Sequence, residues 1–370
     1  MLKISGRYDI VIVGSGITGI TLANLFAAQN RSVLIIEKLS HLGGNSFDYV
    51  NHAGLLVNRY GGHIFHTNDQ EVWDYLSRFT TWHHYKHKVK SFVDGQYLSI
   101  PVNRTTANIL LGTHYSSSQM AEWLSKNSYN YPNPQNSRQS AINRVGHLIY
   151  DRMYHNYTKK HWKIEPKLLD PSVTQRLPVY LDDNPYYFSD RFQALPNGGY
   201  TKLFSTMIDH PQINLLLNFD YFSLPKDLSY DKLFFTGPID RFFDYRFGRL
   251  PYLSLRHRFY TFKKSHYLPC GTVNYPNDHD YTRIIEFKYM TGQVNKLTTV
   301  AYEYSYYGGP EFYPVPTHQN QILFQRYYDL TQTPEFSNIH FIGRLANYRY
   351  INMDQAVKKA IDLFNSLKHE

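Results

Sequence analysis

The sequence predicts an α/β protein: a Rossmann-like dinucleotide-binding domain with an inserted helical subdomain and an antiparallel or mixed β-sheet domain. Three observations predict it. Tyr8 to Val13 is a buried-strand run that enters Gly14-Ser15-Gly16-Ile17-Thr18-Gly19 at once. The stretch from about Thr105 to Lys167 is helical and polar, and short β-type runs recur from about Pro178 to Leu330. At 370 residues the chain is long for one core, so two or three substructures are expected.

Taken in order, the glycine string is followed by helical spacing from Ile17 to Gln29 and a second strand, Ser32 to Ile36, that ends in Glu37. In such a βαβ unit the first glycine allows the tight turn, the second admits a pyrophosphate to the backbone, and the third lets helix and strand pack closely. Glu37 is then placed to accept ribose hydroxyls. The pair Gly43-Gly44 in HLGGN is a tight turn that favours the bulkier FAD over NAD; a plain surface turn is the alternative. Pro132 and Pro134 mark a loop within the helical stretch. The β-type runs are Leu215 to Phe222, Lys232 to Thr236, Leu253 to Phe262, Tyr281 to Tyr289 and Thr298 to Tyr304. A last strand, Ile339 to Ile342, and an amphipathic helix, Asp354 to Leu367, return the chain to the first domain.

Composition narrows the function. The 42% hydrophobic and 19% charged fractions are globular values, and no apolar run approaches the roughly 18–20 residues of a membrane helix. No secretory signal is read in the first residues, and no integral membrane segment is expected. The single cysteine, Cys270, excludes an internal disulfide and a cysteine-based zinc site, and a cytoplasmic location and no metal are expected. A formal charge of +9 fits nucleic acid, a membrane surface or a phosphorylated small molecule; with the basic residues scattered and no arginine-rich tail, no nucleic-acid partner is expected. The 34 tyrosines and 23 phenylalanines suit nucleotide or sugar sites, although many must be core.

Two strings and a set of arginines exceed what a core requires. Tyr60-Gly61-Gly62-His63 lets backbone lie against something flat, or is a turn with solvated histidines. YTKKHWK brings Tyr157 and Trp162 to the end of the helical insert, with an anchoring tryptophan as the default reading. Arg176, Arg246, Arg283 and Arg344 each stand among apolar or aromatic neighbours, as phosphate ligands or as partners of buried ion pairs.

The strings GSGITG, HLGGN, GGHIFHTND, YTKKHW, YFSDRFQALPNGGYTKL, TGPIDRFFDYRFG, YTRIIE, FYPV and GRLANYRYINM, in this order, resemble the bacterial-type UDP-galactopyranose mutases from about Tyr8 to Ala360. The resemblance implies a Rossmann-like FAD-binding domain (1–79, 199–240, 336–370), a helical subdomain (102–178) with a mobile loop at about 163–183, and a β-sheet substrate domain (80–101, 179–198, 241–335). It implies interconversion of UDP-galactopyranose and UDP-galactofuranose without net redox change, through attack of reduced-flavin N5 on the anomeric carbon and a flavin-sugar iminium. By position, Gly14, Ser15, Gly16, Thr18, Gly19, Glu37, Lys38, Gly44, Asn45, His63, Ile64, Arg344, Ile351, Asn352, Met353, Asp354, Gln355 and Ala356 would hold FAD. Arg176, Arg283, His63 and Glu303 would be catalytic. His87, Tyr157, Thr158, Trp162, Tyr187, Asn274, Tyr313 and Tyr350 would bind the UDP-sugar. A homodimer and an external reductant, NAD(P)H or a reductase, are further implied partners. Three residues depart from the family pattern: Asn352 where Asp is usual, Met153 at an aromatic position beside the base, and Lys163 at a glycine. A mutase for an N-acetylated or deoxy hexose, an amine-oxidase-type flavoenzyme and a non-catalytic UDP-sugar or flavin-binding protein are the competing readings.

Overall fold

A computed structural model describes residues 6–224 and 228–367. The sheet at its base holds five parallel strands in the order Ile213–Leu216, Val33–Ile36, Arg7–Val13, Ser229–Phe235 and Ile339–Phe341. Parallel strands are covered on both faces, which is why Ile10, Val11, Ile12 and the whole of Val33–Ile36 are buried and read as unbroken apolar runs. On one face the helix Ile17–Ala27 packs against the closing helix Met353–Leu367, joining Leu22, Ala23 and Phe26 to Ala360 and Phe364 over Ile10, Ile12 and Phe234.

The second sheet is mixed. Its order is Tyr313–Pro314, Tyr252–Phe262, Thr298–Tyr307, Arg283–Glu286, Thr272–Asn274, Val89–Val93 and Gln96–Ile100, antiparallel except where Thr272–Asn274 runs parallel to Val89–Val93. Helices Arg104–Leu111, Ser117–Asn127 and Ser137–Ile149 pack over its far end, where Ala107, Met120, Ile142 and Ile149 meet Val89, Val93, Leu98 and Ile100. Asn103, Ser116 and Asn136 cap these helices with their side chains. A π-helical turn, Tyr150–His155, then leads into the helix Asn156–Trp162.

Three strand expectations change. The run Leu215 to Phe222 is a strand only over Ile213–Leu216; Asp220 then accepts the Phe222 N–H and turns Tyr221–Ser223 into a 3₁₀ helix. Together with Ser229–Phe235, this strand belongs to the parallel sheet rather than the mixed one. The run Tyr281 to Tyr289 is extended only over Arg283–Glu286 and continues as the helix Phe287–Thr291. The buried Glu286 carboxylate accepts from Tyr267 N, Leu268 N and Thr298 Oγ1, and Lys288 Nζ donates to the carbonyls of Ser265, Asn295 and Leu297. Those distant partners bend the chain out of the sheet. Met153 is 3% exposed and packs with Ile149, Tyr150 and Tyr154 in the helical core.

Candidate functional site

A long cavity opens along the carboxyl edge of the parallel sheet, where dinucleotides bind in open α/β folds. Gly14 adopts φ +100°, a region closed to most side chains, and a Cβ there would collide with Thr236 Oγ1. Gly19 lies directly under the Gly14 carbonyl, the close helix–strand approach that a third glycine permits. A Cβ on Gly16 would meet nothing within 4 Å, and the first turn of Ile17–Ala27 has no side-chain cap. This helix end is open to the cavity, and an open helix N-terminus is an anion site. Gly43 N donates to Ser15 O at 3.0 Å, so the HLGGN turn closes over the first loop. Glu37 Oε2 accepts from Ser15 N and Ser15 Oγ at 2.9 Å, and Oε1 from Leu39 N, which fixes the carboxylate on the cavity wall.

The wall contains Gly14, Gly16, Thr18, Glu37, Lys38, Gly44, Asn45, His63, Arg344, Ile351, Asn352, Met353 and Ala356. Five other expected ligands stand behind it. Ser15 is spent on Glu37, and Gly19 on helix packing. Ile64 packs against the cluster of Leu55, Val57, Leu195 and Ile285. Gln355 Oε1 accepts from Asn352 N at 3.0 Å. Asp354 turns toward His66 and Thr67, its Oδ1 buried without a hydrogen bond, and burial pushes its carboxyl up. Unforeseen in the sequence are Phe219, Asp220, Tyr221, Phe222, Thr236, Arg241 and Phe312 on the same wall, which Tyr60 of the Tyr60-Gly61-Gly62-His63 string also joins. Only TGPID, directly after the fourth parallel strand, was a signal for this end of the cavity.

At the His63 end the cavity meets a polar cluster built on the mixed sheet. Its strands hold His257, Glu303, Arg283 and Asn274 in one transverse register, so all four point to one face. Glu303, almost fully buried, lies 3.0 Å from Arg283 Nε, and Thr282 Oγ1 donates to it at 3.1 Å. Burial favours its neutral form, but the Arg283 guanidinium and His257 override that and hold the carboxyl far below its usual range. Tyr157, Thr158, His161 and Trp162 enter on the helix Asn156–Trp162, with Arg283 5.7 Å from the Tyr157 ring centre and Trp162 6.4 Å from Tyr313. Arg176 lies over the Tyr350 ring at 4.7 Å and Arg344 over Tyr313 and Tyr350 at 5.2 and 5.1 Å, with those rings stacked at 5.5 Å. Tyr187 and His87 meet edge to face at 5.9 Å, and Asn274 Oδ1 is buried without a partner. Arg246 is elsewhere, exposed over Phe247.

Burial lowers the histidines, His63 to about 4, His87 to about 3 and His161 to about 3, with Arg344 adding to the effect at His63 and Arg283 at the other two. They are neutral at physiological pH. Tyr350 goes the other way: burial raises its phenol, but Arg176 and Arg344 outweigh this and bring it down to about 8. Three guanidinium groups against one buried carboxylate leave a cationic pocket beside the cavity, suited to a diphosphate.

Residues 152–350 match the family model of UDP-galactopyranose mutase, and residues 12–79 that of the NAD(P)-binding Rossmann-like domain. The chain belongs to the UDP-galactopyranose mutase family. It is therefore an isomerase, and the open helix end, the glycine turns and Glu37 fit the cofactor FAD. The chain is 35% identical to a dTDP-fucopyranose mutase of Escherichia coli over 95% of its length and 96% of that protein, and 34% identical to a probable UDP-galactopyranose mutase of Klebsiella pneumoniae over 95% and 93%. Among solved structures, a reduced UDP-galactopyranose mutase superimposes with TM-score 0.78 at 17% identity, covering 97% of this chain and 95% of that one. A putrescine oxidase superimposes with TM-score 0.62 at 12% identity, covering 98% and 99%. At such identities the structures speak to fold alone. No helix among the described residues is long and apolar enough to cross a membrane.

Proposed function

We propose that the protein interconverts UDP-galactopyranose and UDP-galactofuranose. The observation that supports this most is the convergence of Arg176, Arg283 and Arg344 at the His63 end of the dinucleotide cavity, a diphosphate clamp for which a simple amine substrate has no use. Reduced FAD, when bound, supplies a nucleophile at N5 for the anomeric carbon. Arg176 and Arg283 neutralise the charge that grows on UDP as the glycosidic C–O bond breaks, with Tyr313 and Tyr350 as hydroxyl donors. Neutral His63, its Nδ1 held 2.9 Å from the Gly61 carbonyl, would help hold the flavin without adding a positive charge. Glu303 orients Arg283, and Tyr157, Thr158, Trp162 and Asn274 line the nucleotide. Closure of the 163–183 segment, anchored at buried Leu169 and at Thr174, whose Oγ1 donates to Ser137 O, would bring Arg176 over the substrate and exclude water.

A second reading, a dTDP-linked deoxyhexose as substrate, is favoured by the likeness to the fucopyranose mutase. Dithionite-reduced holoenzyme incubated with UDP-galactofuranose or dTDP-fucofuranose, with products separated by chromatography, tests both. Conversion of the first only is expected; conversion of the second only moves the assignment to the deoxy sugar, and conversion of neither removes the mutase reading. A cytoplasmic homodimer primed by NAD(P)H or a reductase belongs to the same proposal.

A further inference from the structure

We propose that His257 is a positioning residue that fixes the Glu303 carboxylate and, through it, the Arg283 guanidinium; the functional consequence rests on the reading of Arg283 as a phosphate ligand. His257 stands in no motif. Its place follows from strand register: His257 on Tyr252–Phe262 pairs with Glu303 on Thr298–Tyr307, which pairs with Arg283 on Arg283–Glu286. The three side chains share one face of the sheet, and those of His257 and Glu303 are 3% and 4% exposed.

The two carboxylate oxygens are divided between neighbours. Oε1 faces Arg283 Nε at 3.0 Å and Thr282 Oγ1 at 3.1 Å, while Oε2 has His257 Nε2 at 3.3 Å. In the Nε2–H tautomer the imidazole donates to Oε2. Without it a buried carboxylate oxygen has no donor, and the group gains by rotating that oxygen toward Arg283 or Thr282. His257 also backs the loop beside the flavin position. A Cβ on Gly61 would lie 3.2 Å from His257 Nε2 and 3.5 Å from Glu303 Oε2, and the Gly61 carbonyl holds His63 Nδ1. One imidazole thus backs both the loop that carries His63 and the carboxylate that faces Arg283.

The test compares FAD-loaded His257→Leu, His257→Gln and Glu303→Gln proteins and the His257→Leu/Glu303→Gln double variant. For His257→Leu, a crystal structure with the Glu303 carboxylate turned so that Oε2 moves toward Arg283 or Thr282, and the Arg283 guanidinium displaced with it, is expected, with UDP affinity and turnover each down about tenfold and the flavin retained. His257→Gln, whose amide can donate to the same oxygen, should recover most of both. In the Glu303→Gln background His257→Leu should cost less than twofold more. Should the leucine variant lose FAD, His257→Asn, polar but too short to reach Oε2, replaces it with the same expectations. Parental UDP affinity and turnover with a lowered Tm alone, or an equal penalty in both backgrounds, overturns the proposal. So does an unmoved Glu303–Arg283 pair. A parent that isomerises neither sugar nucleotide fails the mutase reading instead, and the crystallographic comparison still decides the positioning role.

Discussion

Lys163 has φ +57° and ψ 22° at the end of the helix Asn156–Trp162, a left-handed position where glycine costs nothing and a side chain costs about 1 kcal/mol. Lys163→Gly should therefore raise stability by about 1 kcal/mol, read as a higher urea midpoint at unchanged slope; no gain would mean that lysine relaxes its own strain. At the clamp, Arg176→Ala and Arg283→Ala should each keep the flavin and lower turnover at least about tenfold, the factor for about 1.4 kcal/mol of transition-state stabilisation. Lysine at either site should restore only part, having charge without the fork. Parental turnover in both alanine variants at saturating substrate would make the arginines structural. Tyr350 adds a pH dependence. Below about 8 its phenol is neutral and can donate to phosphate; above it a phenolate faces an anionic substrate. In kcat/KM, which reports the free enzyme, a fall as pH rises through about 8 is expected, and Tyr350→Phe should remove it. A fall that persists in the phenylalanine variant assigns it to another group.

Among the elements, the helix Tyr200–Ile208 shows how distant sequence completes a local structure. Its N-cap Gly199 has no side chain to offer, and Asp48 supplies the cap from a strand 152 residues earlier, accepting from Tyr200 N at 2.6 Å and Thr201 N at 2.9 Å. A Cβ on Gly199 would run into that carboxylate, so glycine and aspartate need each other. Asp48→Ala should cost about 1–2 kcal/mol, the range for loss of an N-cap, while Asp48→Asn keeps part of it. Equal denaturation midpoints for parent and alanine variant would show that water caps the helix as well. The same helix bears on the site, because Tyr200 Oη donates to the His63 carbonyl at 3.3 Å. The strand register that aligns His257, Glu303, Arg283 and Asn274 is likewise invisible locally: a slip of one residue turns each side chain to the other face, and YTRIIE does not state its partner.

Over the whole molecule, the cavity wall gathers residues from 13–18, 36–46, 60–63, 219–222, 235–241, 310–312 and 343–356. A ligand that touches so many segments stabilises them together, by about 4 kcal/mol at a thousandfold excess over Kd. Stripping FAD should lower Tm by several degrees, and adding it back should restore both Tm and the flavin spectrum; an apoprotein with the holoprotein's Tm would contradict a cofactor buried at this seam. By itself the sequence determined the βαβ unit, the glycine turns and the family strings, because these depend on residues close in the chain: an apolar run, a positive φ at Gly14, a helix end at Gly16. It also named Arg176, Arg283, Tyr313 and Tyr350, through motifs rather than contacts. Only the tertiary structure decided that Arg246 stands outside the site, that Asp354 turns toward His66, that Met153 is core, and that His257 backs Glu303. Those outcomes depend on which strands pair and in what register, and burial and charge then act between residues tens to hundreds of positions apart in the chain.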